Sequence, residues 1–238
     1  MGREVDAGEG RGLSGELAAT RWDAEYRAGR YVAEPPLPFV DRILCTLRAD
    51  PAALAGVGLY VGCGNGRNYL PLVDAGLDLH GIDVSREALD QLVARRPALA
   101  PRLACGDFLG LAPASPVDYL VAIQVFQHGA QADAAAYFDK TAAVLRAGAP
   151  FFLRVNSAST EMYLRHTVVD RNDAGGFTIR YDEGPKRGLC VHFYARAELL
   201  ELARGRFRLV AEPREDVTAR TPPQTGSWSQ WEVVWQKL

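Results

Sequence analysis

The sequence predicts a doubly wound α/β fold: seven strands in a mostly parallel sheet with helices on both faces, an antiparallel strand at the carboxyl end and a helical lid at the amino end. Short apolar runs alternate with helical patterns up to about residue 156, as successive βαβ units do. A glycine-rich turn stands directly after the first run and directly before a helical pattern. The last two strand-like segments have no helix between them, which makes them an antiparallel pair at one edge.

Residues 1–14 are Gly-rich, charged and aperiodic and read as a flexible tail, which leaves 15–238 as a single domain. GELAATRWDAEYRAG has helical composition and stops at Gly29; after the PPLP run, Phe39, Val40, Ile43, Leu44 and Leu47 mark a second helix. VGLYV is the first strand, a helix covers about Asn68 to Asp74, and LDLHGID is the second strand. Ser85 is an N-cap, with Val84, Ala88, Leu89, Leu92 and Val93 at helical spacing behind it. RLACGD is the third strand, VDYLVAIQVF a buried fourth, Asp133 to Arg146 a helix and PFFLRV the fifth strand, so the core spans about 55–157. An insertion over about 157–194 carries FTIRYD, EGPKRG and LCVHFY, a hairpin with a long turn. The helix RAELLELARG follows, then FRLVAEP and WSQWEVVWQ, where Trp231, Val233 and Trp235 alternate as an inward face.

A length of 238 residues, 48% of them hydrophobic and 24% charged, provides a sizeable core and excludes wholesale disorder. The net charge of −2 gives no global field towards nucleic acid or an anionic membrane, so neither is expected as a partner. No apolar run is long enough for a membrane span and the amino terminus lacks a signal-peptide core, so a cytoplasmic monomer or homodimer is expected. The four cysteines are too scattered for a disulfide scaffold, and no histidine stands at metal-ligand spacing, so no metal is expected.

The chemistry concentrates at predicted strand ends. In Val61-Gly62-Cys63-Gly64-Asn65-Gly66-Arg67 the glycines permit a tight turn and a close ligand, and the following helix start favours a polar ligand group; a purely structural turn is the alternative. Asp83 ends the second strand, where a carboxylate can accept both hydroxyls of a ribose or simply cap the helix at Ser85. Asp107 ends the third strand, and Gln124 to His128 end the fourth. All face the carboxyl side of the sheet, where open α/β folds bind ligands.

Together with the WDxxY segment Trp22-Asp23-Ala24-Glu25-Tyr26, this arrangement resembles the class I, Rossmann-like S-adenosylmethionine-dependent methyltransferases, the small-molecule type of tellurite-resistance and thiopurine methyltransferases in particular. The resemblance covers residues 55–157 closely and 20–238 more loosely. It implies S-adenosylmethionine as cofactor, S-adenosylhomocysteine as product, no metal, and a small-molecule acceptor with an oxygen, nitrogen or sulfur nucleophile. It places Gly62, Cys63, Gly64 and Gly66 around the methionine part, Asp83 on the ribose and Val84 on the adenine. Asp107 accepts from the adenine amino group beside Phe108, and the Gln124 backbone lies near the cofactor's amino group. One position departs from the family: Tyr60 stands where an acidic residue usually offsets that amino group, and a phenol carries no charge near neutral pH.

On the acceptor side, His128 is the candidate general base, with packing of the next helix as its alternative. His192 either faces the acceptor or fills a strand position. Trp22 and Tyr26 share a helical face, as a lid over the cofactor or as a docking surface, and with Tyr31 and Trp228 they are candidate acceptor contacts. Two other functions stay open, a non-catalytic S-adenosylmethionine-binding or regulatory protein and an NAD(P)-dependent oxidoreductase. The second would need a glycine where Arg67 stands.

Overall fold

The computed structural model describes residues 7–110 and 115–238. Its first element is α1 (Ala7–Arg27). Helix is described from Ala7, within the segment expected as a tail over 1–14, and residues 1–6 lie outside the described residues. Extending a helix already started costs only the propensity of each added residue, about 1 kcal/mol for a glycine. Next come α2 (Phe39–Arg48) and the short α3 (Pro51–Leu54), which shows no periodicity because it is a single turn; Asp50 caps it, accepting from Ala53 N at 3.2 Å.

The core follows as β1 (Val57–Val61), α4 (Tyr69–Asp74), β2 (Asp78–Asp83), α5 (Arg86–Arg95), a 3₁₀ turn, and β3 (Leu103–Cys105). Then come β4 (Tyr119–Ile123), α6 (Gln131–Val144) and β5 (Pro150–Asn156). The insertion carries β6 (His166–Arg171), β7 (Phe177–Tyr181) and β8 (Cys190–Phe193). The chain closes with α7 (Arg196–Ala203), β9 (Phe207–Leu209), β10 (Arg214–Ala219) and β11 (Ser227–Lys237).

The main sheet runs β10-β11-β5-β4-β1-β2-β3. Strands β1 to β5 pair in parallel, and β11 lies antiparallel to β5 on one side and to β9 and β10 on the other. The path has the seven positions expected, but its edge position is filled by two pieces. Leu209 pairs with Trp235 and Arg214 with Glu232, and Pro213, which cannot donate to a ladder, stands in the interruption.

The two faces bury different helices. Leu59, Val61, Leu120, Phe138, Phe151, Val233 and Trp235 form one core with α6 and α7. Tyr60, Leu79, Val121, Phe152, Ile43, Leu72 and Leu92 form the other with α2, α4 and α5. Strand residues alternating between the two cores are what a sheet wound on both faces requires. Trp231 and Trp235 are buried as their alternation predicts.

The insertion folds as a separate sheet of order β6-β7-β8. The β7–β8 hairpin was legible; β6 was not, because HTVVDR is nearly all exposed and so shows no apolar alternation. This sheet hangs over the carboxyl end of β4: Gly129 N donates to Cys190 O at 3.1 Å and His192 N to Gln127 O at 2.7 Å. Among the described residues no helix is long and apolar enough to cross a membrane.

Candidate active site

Order in the strands reverses between β1 and β4, and the glycine turn leaves the sheet there. Gly62 N and Cys63 N donate to Ile82 O at 2.7 and 3.1 Å, which ties the turn to β2. Gly66 serves packing: a Cβ there would lie 2.7 Å from Leu92 and 2.9 Å from Leu70. Expected around the cofactor, it is turned to α4 and α5 and is not among the residues lining the cavity described below.

Asp83 closes the turn from the neighbouring strand. Its Oδ2 accepts from Gly64 N at 2.7 Å and its Oδ1 from Ser85 N at 2.8 Å. Burial raises its pKa to about 6 against the lowering effect of those bonds, with the nearby Asp23 adding to the rise. Capping α5 falls to other groups: Ser85 Oγ accepts from Ala88 N at 3.1 Å, and Asp23 Oδ1 accepts from Ser85 Oγ at 2.6 Å and Glu87 N at 3.1 Å. Each carboxylate oxygen of Asp83 therefore keeps capacity for a further donor.

Those Asp23 bonds also explain why α1 lies across the sheet's carboxyl end. Trp22 meets His128 edge-on at 5.0 Å, and Tyr26 sets its hydroxyl against Gly64, where any Cβ would collide with it. Tyr26 in turn packs against Tyr31 at 5.8 Å. Burial, then the charge of Asp83, raises the Tyr26 phenol far above its ordinary value, so it stays neutral. The WDxxY segment thus covers the turn, with Asp23 joining α1 to the start of α5.

Beneath it is a cavity of about 810 Å³, within the range of small-ligand sites. Gly62, Cys63, Gly64, Asp83, Val84, Asp107, Phe108 and Gln124 all line it, as do Trp22, Tyr26, Tyr31 and His128. Phe108 is buried and stacks on Phe126, and Asp107 Oδ1 accepts from Leu109 N at 3.2 Å. Gln124 is held at φ +59°, unusual for a non-glycine residue, by its N donating to Arg154 O at 2.7 Å and its Nε2 to Gln230 Oε1 at 2.9 Å. Asn65, Arg67 and Asn68 also line the cavity. Arg67 is paired with Glu34 at 2.7 Å and donates to Pro35 O at 2.7 Å. None of the three was singled out as a ligand contact, because nothing in the turn's spacing shows which side chains face inward.

Tyr60 also borders the cavity, with its ring packed edge-on against Tyr69 at 5.8 Å. Burial raises its phenol pKa, so it supplies no negative charge. His128 lines the cavity with Nδ1 buried and unpartnered. Burial, then the Lys186 ammonium, lowers its pKa to about 3.

Two expected acceptor contacts lie elsewhere. His192 is buried: Thr178 Oγ1 is 2.8 Å from its Nδ1 and Glu198 Oε1 is 2.9 Å from its Nε2, so the ring is spent tying β7, β8 and α7 together. Trp228 lines a second, smaller cavity instead, its Nε1 donating to Asn156 Oδ1 at 3.1 Å. The sequence left open whether His192 faces the acceptor or fills a strand position, and does not show which way either side chain turns.

Residues 59–148 match a family model described as a methyltransferase domain. No curated protein sequence matches the chain. Among solved structures, a 1,6-didemethyltoxoflavin-N1-methyltransferase from Burkholderia thailandensis, with its substrate and S-adenosylhomocysteine bound, is 18% identical; the match covers 100% of this chain and 93% of that one, with a TM-score of 0.63. Magnesium protoporphyrin IX methyltransferase from Synechocystis, with S-adenosylmethionine bound, is 15% identical over 98% of this chain and 99% of its own, at a TM-score of 0.60. TehB from Haemophilus influenzae is 13% identical over 91% of this chain and 67% of its own, at a TM-score of 0.61. At such identities these likenesses establish the fold.

Proposed function

We infer that this chain, whose residues 59–148 match a methyltransferase domain, is a class I enzyme that transfers a methyl group from S-adenosylmethionine to a small molecule. The observation that carries the reading is the Asp83 carboxylate fixed beside the Gly62–Gly66 turn in a lidded cavity at the switch point of the sheet. The residues present fit the cofactor. Gly64 keeps the turn free of a Cβ, Asp83 offers acceptors for ribose hydroxyls, Val84 and Phe108 offer apolar surface for adenine, and Asp107 offers an acceptor for its amino group. Gly62, Cys63 and the Gln124 backbone would border the methionine end, where Tyr60 offers at most a neutral oxygen.

Bound S-adenosylmethionine supplies a carbon already activated by its sulfonium, so the protein's share is orientation and exclusion of water. Trp22, Tyr26 and Tyr31 supply the exclusion by closing α1 over the turn. His128 fits an orienting role better than proton removal. A ring with a pKa of about 3 is neutral at pH 7 and a weak base, so what it offers an acceptor is an uncharged wall beside Trp22. His128→Ala is accordingly expected to raise KM about tenfold and to leave the pH–rate profile between 5 and 8 without a new limb. A hundredfold fall in kcat with loss of a limb would restore the general base.

We extend the reading to a single domain over 15–238, in a cytoplasmic monomer or homodimer that does not act on nucleic acid, on the support of the net charge of −2. Incubating the protein with S-adenosylmethionine and a panel of hydroxyl, amine and thiol acceptors tests the function. S-adenosylhomocysteine formed in step with a methylated product is the expected result. Cofactor binding without turnover on any acceptor class would point to a binding protein.

A further inference from the structure

Beside the cofactor cavity lies the second one, of about 160 Å³, between the insertion sheet and the carboxyl ends of β4 and β5. Its lining includes two cations, Lys186 and Arg220, and no carboxylate. Among the described residues neither cation is ion-paired. Arg220 donates only to Thr225 O, at 3.0 Å, and Lys186 lies 5.2 Å over the Trp22 ring. Burial lowers Lys186 to about 8, against the opposing charge of Glu25, as befits an ammonium without a close counterion.

The floor adds two neutral donors. Gln127 and Asn156 are 3% and 4% exposed. Gln127 Oε1 accepts from Asn156 N at 2.9 Å, and Asn156 Oδ1 accepts from Trp228 Nε1 at 3.1 Å and Gln230 Nε2 at 3.3 Å. With both carboxamide oxygens engaged inside the protein, each side chain has N–H left to offer. Two cations and two residues with free amide donors line a space that Phe193 and Trp228 also border, about the size of cavities that hold one benzene ring. Gln127 adjoins His128 in the chain and Lys186 lies over the Trp22 ring, so this space neighbours the larger cavity without sharing a lining residue with it.

We propose that this cavity is a site for a small acid, a carboxylate or phosphate on a single ring, held between Arg220 and Lys186. The acid site rests on the four donors and stands apart from the methyl-transfer reading.

Calorimetric titration of the S-adenosylhomocysteine-saturated protein with benzoate, phenyl phosphate and the neutral benzamide tests it. At least one acid is expected to bind roughly tenfold or more tightly than benzamide, because charge-assisted bonds are the strong ones. Arg220→Gln is expected to abolish that preference with S-adenosylhomocysteine affinity and the thermal melt unchanged, and Lys186→Gln to reduce it. Equal binding of acids and amide, acid binding that survives Arg220→Gln, or no acid binding by protein that does bind S-adenosylhomocysteine would overturn the proposal. Acid binding by protein that fails to bind S-adenosylhomocysteine would keep the acid site and sink the methyl-transfer reading.

Discussion

Replacing Arg154 with methionine is expected to destabilise the fold by about 3–5 kcal/mol, because it leaves a buried carboxylate without its partner. Arg154 is 3% exposed on β5 and pairs with Glu232, itself 5% exposed, while Nη2 donates to Asp216 at 2.7 Å and Nε to Gln230 Oε1 at 2.8 Å. The same network reaches the site. Gln230 Oε1 also accepts from Gln124, and the Arg154 carbonyl holds Gln124 N, so losing the guanidinium frees the side chain that steadies a left-handed backbone. Urea unfolding of Arg154→Met and of the double variant Arg154→Met, Glu232→Met checks this. The double variant is expected to recover most of the loss, since no buried charge is then stranded. A loss under about 1 kcal/mol in the single variant would show that the pair is effectively solvated.

Asp83→Ala is expected to weaken S-adenosylhomocysteine binding by about 1.5–3 kcal/mol, roughly tenfold to 150-fold, through loss of charge-assisted bonds to the ribose. Acidity gives a second readout. The folded pKa of Asp83 is raised from 3.8 to about 6, so its contribution to folding stability is present below 3.8 and lost as pH rises through about 6. The ionised carboxylate is thus held at a cost to stability, and ribose hydroxyls would be the donors that reward it. Affinity should be flat above that pKa and fall as pH drops through about 6, where the carboxyl takes up its proton. In Asp83→Asn that dependence should vanish. Unchanged affinity in a folded Asp83→Ala protein would remove Asp83 from the site.

The sheet was legible because its evidence is local. VGLYV and PFFLRV are short apolar runs suited to strands buried on both faces, LDLHGID carries strand-like alternation, and the glycine turn and Asp83 sit at strand ends. Features that depend on partners far along the chain were not. Asp23 reads as one more charge in a helix until it meets Ser85, and His192 reads as a strand histidine until it meets Glu198 on α7. Lys186 lies in a turn, EGPKRG, that looks solvated, yet the hairpin folds it back over Trp22. The edge strand misled for a different reason. REDVTA is half polar and mostly solvated, so its pairing with β11 leaves no hydrophobic pattern to read.

Calorimetric titration of the purified protein with S-adenosylmethionine, S-adenosylhomocysteine and NAD(H) in parallel tests the central claim most directly. Saturable binding of both sulfur ligands, with none of NAD(H), is the result predicted by Asp83 beside a glycine turn that carries Arg67. Binding of NAD(H), or silence from both sulfur ligands in folded protein, would contradict it. Silence would also direct attention to Tyr60, the neutral group at the methionine end.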